Sequence, residues 1–172
     1  LTSGELEVLY RNNHYAARVV DLLPDESTRR GFTVAVEGDA PTSNPFESDF
    51  VRLGLMPKLN QADKWARLYG GAALILGIDD GRDPSEPVDF DSIQSVDFAY
   101  VVDRWSLTTG PLETNPESSG FGLPATYTIT YTDLTTEDSI IGMIVHASRM
   151  IRFEGVELPP SLRDDQDYWG DP

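Results

Sequence analysis

Carboxylates are the side chains in this chain whose spacing first suggests chemistry. Asp79-Asp80-x-x-Asp83 and Asp164-Asp165-x-Asp167 each gather hard oxygen donors of the kind a divalent cation needs. Neither run has the D-x-D-x-D-G-x₅-E spacing of an EF-hand loop, so a solvated acidic surface is the favoured reading and no metal or cofactor is expected. Two rivals stay open: a metal-dependent phosphodiesterase or nuclease using Asp79, Asp80 and Asp83, and a Ca²⁺-dependent adhesion module. His14 and His146 are far apart, with no H-x-x-x-H or H-x-T neighbour, and read as packing or capping residues. Glu117-Ser118-Ser119-Gly120-Phe121 lacks the first glycine of a nucleophile elbow. Gly70-Gly71 closes a helix and opens a strand, the reverse of a phosphate cradle. Trp65 and Tyr69 stand four apart on a helix, which is core spacing. With Trp105 and Trp169 they would form a base-stacking platform only beside a Lys/Arg cluster, and none accompanies them. The arginines are more suggestive, because in so acidic a chain they are expected to form forked pairs with carboxylates. Arg18, Arg104, Arg149 and Asp103 are the candidates for structural ion pairs or subunit contacts; no residue is assigned to catalysis.

The elements that must position these groups follow from caps and periodicity. Thr2 with Glu5 has capping-box spacing, and Leu6, Leu9, Tyr10, Ala17, Val20 and Leu23 approximate one helical face. Asn12-Asn13 is a potential break, and Pro24 reads as the start of a new short helix ended by Gly31. Phe32–Val36 alternates like a strand, and 37–44 reads as a loop. Phe46 to Tyr69 predicts two helices meeting at Met56-Pro57, followed by a Gly70-Gly71 cap and a buried strand over Ala72–Ile78. Further strands are predicted over Phe98–Trp105, Thr126–Tyr131, Ile140–Val145 and Met150–Phe153. Thr108–Ala125, rich in Gly and Pro, reads as a long loop able to move.

The expected class is α+β: N-terminal helices, then a small, mostly antiparallel sheet, in one unit over 1–172. Its helical part covers about 1–70, its sheet part about 71–157, and an extended acidic tail 158–172. The 172 residues carry 29 acidic and 13 basic side chains, a net charge of −16. Such a chain repels a phosphate backbone, which excludes a conventional DNA-gripping domain. Seven Phe, seven Tyr and three Trp exclude disorder throughout. The longest apolar run, Ala72–Ile78, is about a third of a membrane span. There is no Cys, hence no disulfide or thiolate zinc site. A start at Leu1, and an end at Asp171-Pro172 where a helix would begin, suggest a fragment of a longer protein.

Four blocks in order carry a resemblance: Leu9–Asp21 with Thr28–Gly31; Trp65-Ala66-Arg67-Leu68-Tyr69-Gly70-Gly71 through Gly81; Val101-Val102-Asp103-Arg104-Trp105; and His146–Gly155 with Trp169-Gly170-Asp171. From about Leu6 to Asp171 the chain resembles tailed-bacteriophage portal proteins, closest to a subgroup long catalogued as a domain of unknown function and described as anti-CBASS-related. A phosphodiesterase of that sort would show paired H-x-T motifs, which are absent. Pro172 stands where relatives are expected to have a small polar residue such as Ser. The resemblance implies a structural protein, not an enzyme: the N-terminal part of the wing of a ring, usually of twelve subunits, at a capsid vertex. Duplex DNA would pass through without specific binding, and the partners would be other portal subunits, capsid and terminase, with no membrane. The implied location is the virion, and the host cytoplasm during assembly.

Overall fold

The computed structural model describes residues 1–31, 45–118, 120–132, 139–159, 162 and 167–172. The strand expected over Phe32–Val36, the loop over 37–44, and Asp164 and Asp165 of the second acidic run lie outside them. Helix α1 (Ser3–Asn12) begins as its sequence demands: Thr2 accepts from the Glu5 N–H, and Glu5 reaches back to the Thr2 N–H at 2.8 Å. Asn13 ends α1 and starts α2 (His14–Thr28), its side chain accepting from the Tyr15 and Ala16 amides. Pro24 does not start a new helix; it is buried inside α2. The helix survives because only one backbone bond is forfeited and packing against α4 outweighs that loss, while the Ser27 and Thr28 hydroxyls bond the Pro24 carbonyl.

Helices α3 (Pro45–Arg52) and α4 (Leu55–Tyr69) meet earlier than the expected Met56-Pro57 junction. Gly54 turns the chain at φ 60°, and Pro57 falls in the first turn of α4, where a missing N–H is harmless. Lys64 holds Asp25 at 2.8 Å, and Asn60 bonds the Thr28 hydroxyl at 2.8 Å, fixing α2 antiparallel along α4.

Gly70, at φ 82°, releases the chain from α4 into β1 (Gly71–Asp79). This strand is the centre of an antiparallel sheet ordered β2-β1-β6, with β2 at Ser95–Asp103 and β6 at Met150–Glu154. A second antiparallel sheet is formed by β3 (Leu107–Thr109), β4 (Thr126–Thr132) and β5 (Ser139–His146). The α+β class is therefore as read, with two small sheets in place of one. Period-two alternation sorts β1 between two cores. Leu74 and Leu76 face Ala62, Leu59 and Trp65 of α4, whereas Ala73 and Ile75 face Leu107, Tyr127, Ile129 and Val145 of the second sheet. The first sheet is thus the middle layer between helix and second sheet. The stretch expected as a long loop contains β3, a Leu112–Pro124 bridge and several closing bonds, among them Glu113 N–H to the Leu123 carbonyl at 2.8 Å. Its backbone groups pair with each other, so glycine and proline here shape turns.

Candidate functional site

The chain passes between the two sheets twice, and each passage is a single 3₁₀ turn carrying a buried arginine. The first, Arg104–Ser106, follows β2; the second, Ala147–Arg149, precedes β6. Each turn is capped by the residue before it. Asp103 accepts from the Trp105 and Ser106 amides, and His146 Nδ1 accepts from the Ser148 amide at 3.1 Å. The arginines reach in opposite directions along the middle sheet. Arg149 donates to both oxygens of Asp80 at 2.9 Å, to the Ile78 carbonyl at 3.0 Å and to the Glu86 carbonyl at 3.0 Å. Asp80 also accepts from the Asp89 amide at 2.9 Å. That backbone bond, then the bonds from one Arg149 nitrogen, outweigh desolvation and hold the Asp80 carboxyl down at about 2. One guanidinium thereby ties the end of β1 and the Glu86 backbone together at the base of the acidic connection between β1 and β2.

At the other end, Arg104 donates to the Gly170 carbonyl at 2.9 Å. Asp171 forms an antiparallel bridge with Val156, seating the C-terminal segment across the end of β6. The crossing demands glycine on both sides. A Cβ on Gly155 would lie 2.1 Å from the Asp171 carbonyl oxygen, and one on Gly71 would lie 2.4 Å from the Trp169 ring. Trp169 is buried with Arg152 stacked 4.2 Å above its ring centre; Arg152 also donates to the Tyr127 hydroxyl and the Tyr168 carbonyl and pairs with Glu154 at 3.1 Å.

A cavity of about 330 Å³ opens beside the second crossing, lined by Tyr127, His146, Ser148, Met150, Arg152 and Glu113 among others. Its polar groups serve the scaffold. Ser148 Oγ accepts from the Val88 amide at 2.9 Å and lies 2.9 Å from His146 Nδ1, so a neutral imidazole with its proton on Nε2 fits the cap. Burial lowers the His146 pKa, Arg149 lowers it further and Glu113 opposes them. A lowered folded pKa means the unfolded chain binds the proton more tightly. Stability from this cap is therefore complete above about 6.5 and is lost as pH falls from there through the lower folded value. Urea midpoints measured from pH 7.5 to 5 should show this loss in the native chain and not in His146→Asn, which keeps a neutral capping acceptor.

The candidates named from sequence are thereby placed. Arg104, Arg149 and Asp103 lie in the crossing turns, and Arg18 lies exposed on α2, away from them. Asp79 and Asp83 accept from the Gly81 and Ser85 amides, and among the described residues no group of three His, Cys, Asp or Glu is placed to hold a metal. Trp65 and Trp169 pack in the interior, while Trp105 is half exposed beneath Arg104. Arg152, Tyr127, Gly155 and Gly170 were not singled out as site residues. The Trp-Gly and Glu-Gly pairs near the C-terminal end were the available signal.

Residues 4–172 match the family described as Phage portal protein. The chain is 31% identical over 172 residues to the Anti-CBASS protein Acb1 of Sphingomonas paeninsulae, covering 98% of this chain and 26% of that protein. It is 30% identical over 173 residues to the protein of the same name from Caulobacter sp. (strain RHG1), covering 99% and 27%. The chain spans about a quarter of the length of the curated relatives it matches. With a match that runs through both crossing turns to the seated C-terminal segment, the chain belongs to the phage portal protein family.

Proposed function

We propose that this chain is the wing part of a portal subunit: a structural, non-catalytic piece of a ring through which duplex DNA enters and leaves a capsid. The family match over residues 4–172 carries the reading. The geometry supports it, since the clustered polar side chains at the crossings are spent on fixing backbone. Net charge supports it too: at −16, the surface offers DNA little counterion release and so little adhesion. The ring's other partners on this reading are capsid and terminase, its place the virion, and its assembly site the host cytoplasm. The test is electron microscopy of a longer form carrying these 172 residues. Closed rings are the expected result. A monomer stabilised by Mg²⁺ or Mn²⁺ and cleaving a phosphodiester would overturn the reading and favour the Asp79, Asp80 and Asp83 alternative.

A second reading is favoured by the relatives' printed names, which call them anti-CBASS proteins. Because this chain aligns with about a quarter of each, and its His146 is engaged in capping a turn, we assign any such activity to the remaining length. The 172-residue chain expressed alone should then give a phage no protection against CBASS; protection would move the activity into this region.

A further inference from the structure

Between α2, α4 and the end of β6 lies a second cavity, also of about 330 Å³, near the lower end of the range of small-ligand sites. Much of its wall is apolar, with Val19 and Val20 on α2 and Val156 after β6, but α4 contributes two opposite charges, Asp63 and Arg67. Asp63 precedes Arg67 by four residues, the order in which a carboxylate and a cation on one helix ordinarily pair. Here they do not pair. Among the described residues neither side chain forms an ion pair or a hydrogen bond, and the Arg67 Nε is buried with no acceptor. Burial raises the Asp63 pKa, and the Arg67 charge opposes that rise only in part. Glu154 also lines the space, but it is paired with Arg152 at 3.1 Å. The charges left over are one carboxylate and one guanidinium.

An adjoining cavity of about 220 Å³ shares Val19, Val20 and Arg67 with the first and continues along Leu6, Leu9 and Leu68. Arg67 therefore stands where a polar compartment meets an apolar one. The surrounding elements are already fixed in place. Lys64 and Asn60 clamp α4 to α2, and Val156 and Asp171 exchange both backbone bonds, at 2.8 and 3.0 Å. Walls held in this way have little left to order when something binds.

The two free charges decide what the space accepts. An anion would meet Asp63, and a cation, metal ions included, would meet Arg67, each a like charge in a half-buried setting. A neutral amide would answer both side chains, but without a charge on its own side of either bond. An ammonium against Asp63 and a carboxylate against Arg67 satisfy both at full strength, and in an α-amino acid these two groups are attached to the same carbon. The side chain then has the apolar compartment to fill. We infer that the two cavities together bind a free α-amino acid with a bulky apolar side chain, its ammonium on Asp63, its carboxylate on Arg67 and its side chain directed toward Leu6, Leu9 and Leu68. The inference goes beyond the portal reading and does not rest on it, since ring assembly neither requires nor forbids such a site.

Titration of the 172-residue chain with L-leucine and L-phenylalanine, followed by the amide NMR shifts of Val19, Val20 and Val156, tests it. Saturable shifts with a Kd of about 0.1–1 mM are expected, ordinary for so small a molecule held by two charge-assisted bonds. N-acetyl-leucine lacks the ammonium and leucinamide the carboxylate, so each should bind at least about tenfold more weakly than leucine. Glycine, with nothing for the apolar compartment, should be weaker by about tenfold as well. Asp63→Asn should weaken leucine binding and erase its preference over N-acetyl-leucine, whereas Arg67→Gln should erase its preference over leucinamide. Neither side chain bonds within the described residues, so unchanged urea midpoints are expected; if the Arg67 variant fails to fold, the Asp63 variant decides. The same titration in a longer form that carries these residues should give the same affinity. Absence of shifts up to about 10 mM leucine and phenylalanine would overturn the site, as would N-acetyl-leucine binding as tightly as leucine, or leucine binding unchanged by Asp63→Asn. Binding lost in the longer form would overturn it too, because the cavity would then hold the protein's own chain.

Discussion

Arg149→Ala is expected to destabilise the fold by about 3–5 kcal/mol, the range seen when one partner of a buried ion pair is removed. For a chain of this size that lowers the thermal midpoint by roughly 10 °C or more. The loss exceeds that of a surface bridge because three separate things fail together. Asp80 is left buried without its cation, the Ile78 and Glu86 carbonyls lose a donor, and the acidic segment loses an anchor at its base. Arg149→Lys keeps the charge but has one nitrogen where arginine uses three, so the Ile78 and Glu86 carbonyls lose their donors and the variant should fall between native and Ala. Replacing both partners, Asp80→Leu with Arg149→Met, should recover only part of the loss: it removes the unpaired buried carboxylate but leaves the Ile78 and Glu86 carbonyls without a donor and the Arg82 and Asp89 amides without an acceptor. Acid should mimic the single change. The Asp80 carboxyl has a folded pKa depressed to about 2 against an ordinary 3.8, so its contribution is complete above 3.8 and vanishes as pH falls through 2. Urea unfolding of the three variants, and of the native chain from pH 5 to 2, reads all of this. A double variant no more stable than Arg149→Ala would show that the pair's worth lies in the backbone groups it satisfies.

Local chemistry explains why some elements could be read from the chain and others could not. Thr2 with Glu5, Asn13, Gly31 and Gly70 act within one turn of themselves, and each ends or begins an element where its side chain or its lack of one requires. Ala72–Ile78 reads as a strand because its burial needs only that both faces be covered. Pro24 misleads because its local cost is overridden by packing and by the Lys64 and Asn60 bonds that clamp α2 to α4. The site behaves the same way. Arg104 and Arg149 stand out by residue type, but their partners are separated by 66 and 69 residues, and nothing in the sequence says which carboxylate or carbonyl lies opposite. The pairing of Asp103-Arg104 with His146-x-x-Arg149 as equivalent crossings emerges only when the strands are seen to change sheets. The β3 strand is missed for a related reason: three residues flanked by Gly and Pro carry too little pattern, and its pairing with β4 is what defines it.

The seated C-terminal segment should prove as important to the fold as the arginine clamp, and Trp169 is where to test it. Trp169 is 1% exposed, packs against Tyr127 at a ring separation of 6.0 Å and supports the Arg152 guanidinium. Trp169→Ala should therefore cost about 3–5 kcal/mol, as for other buried aromatics cut to Ala, with a further contribution from the lost cation–π contact. It should also free the segment from Val156, so that limited proteolysis trims the C-terminal residues at a protease concentration that leaves the native chain intact. Trp169→Phe discriminates between packing and hydrogen bonding. The indole Nε1 has no partner among the described residues, so phenylalanine forfeits no hydrogen bond and removes a buried donor that was unsatisfied. It should keep most of the stability and all of the protease resistance. Gly71→Ala approaches the same contact from the other side, since its methyl would enter the space of the indole ring, and it should resemble Trp169→Ala in proteolysis even though it adds an atom instead of removing several. If Gly71→Ala leaves the segment protected, the ring has room to shift, and the close approach of β1 to Trp169 is not what holds the C-terminal segment in place.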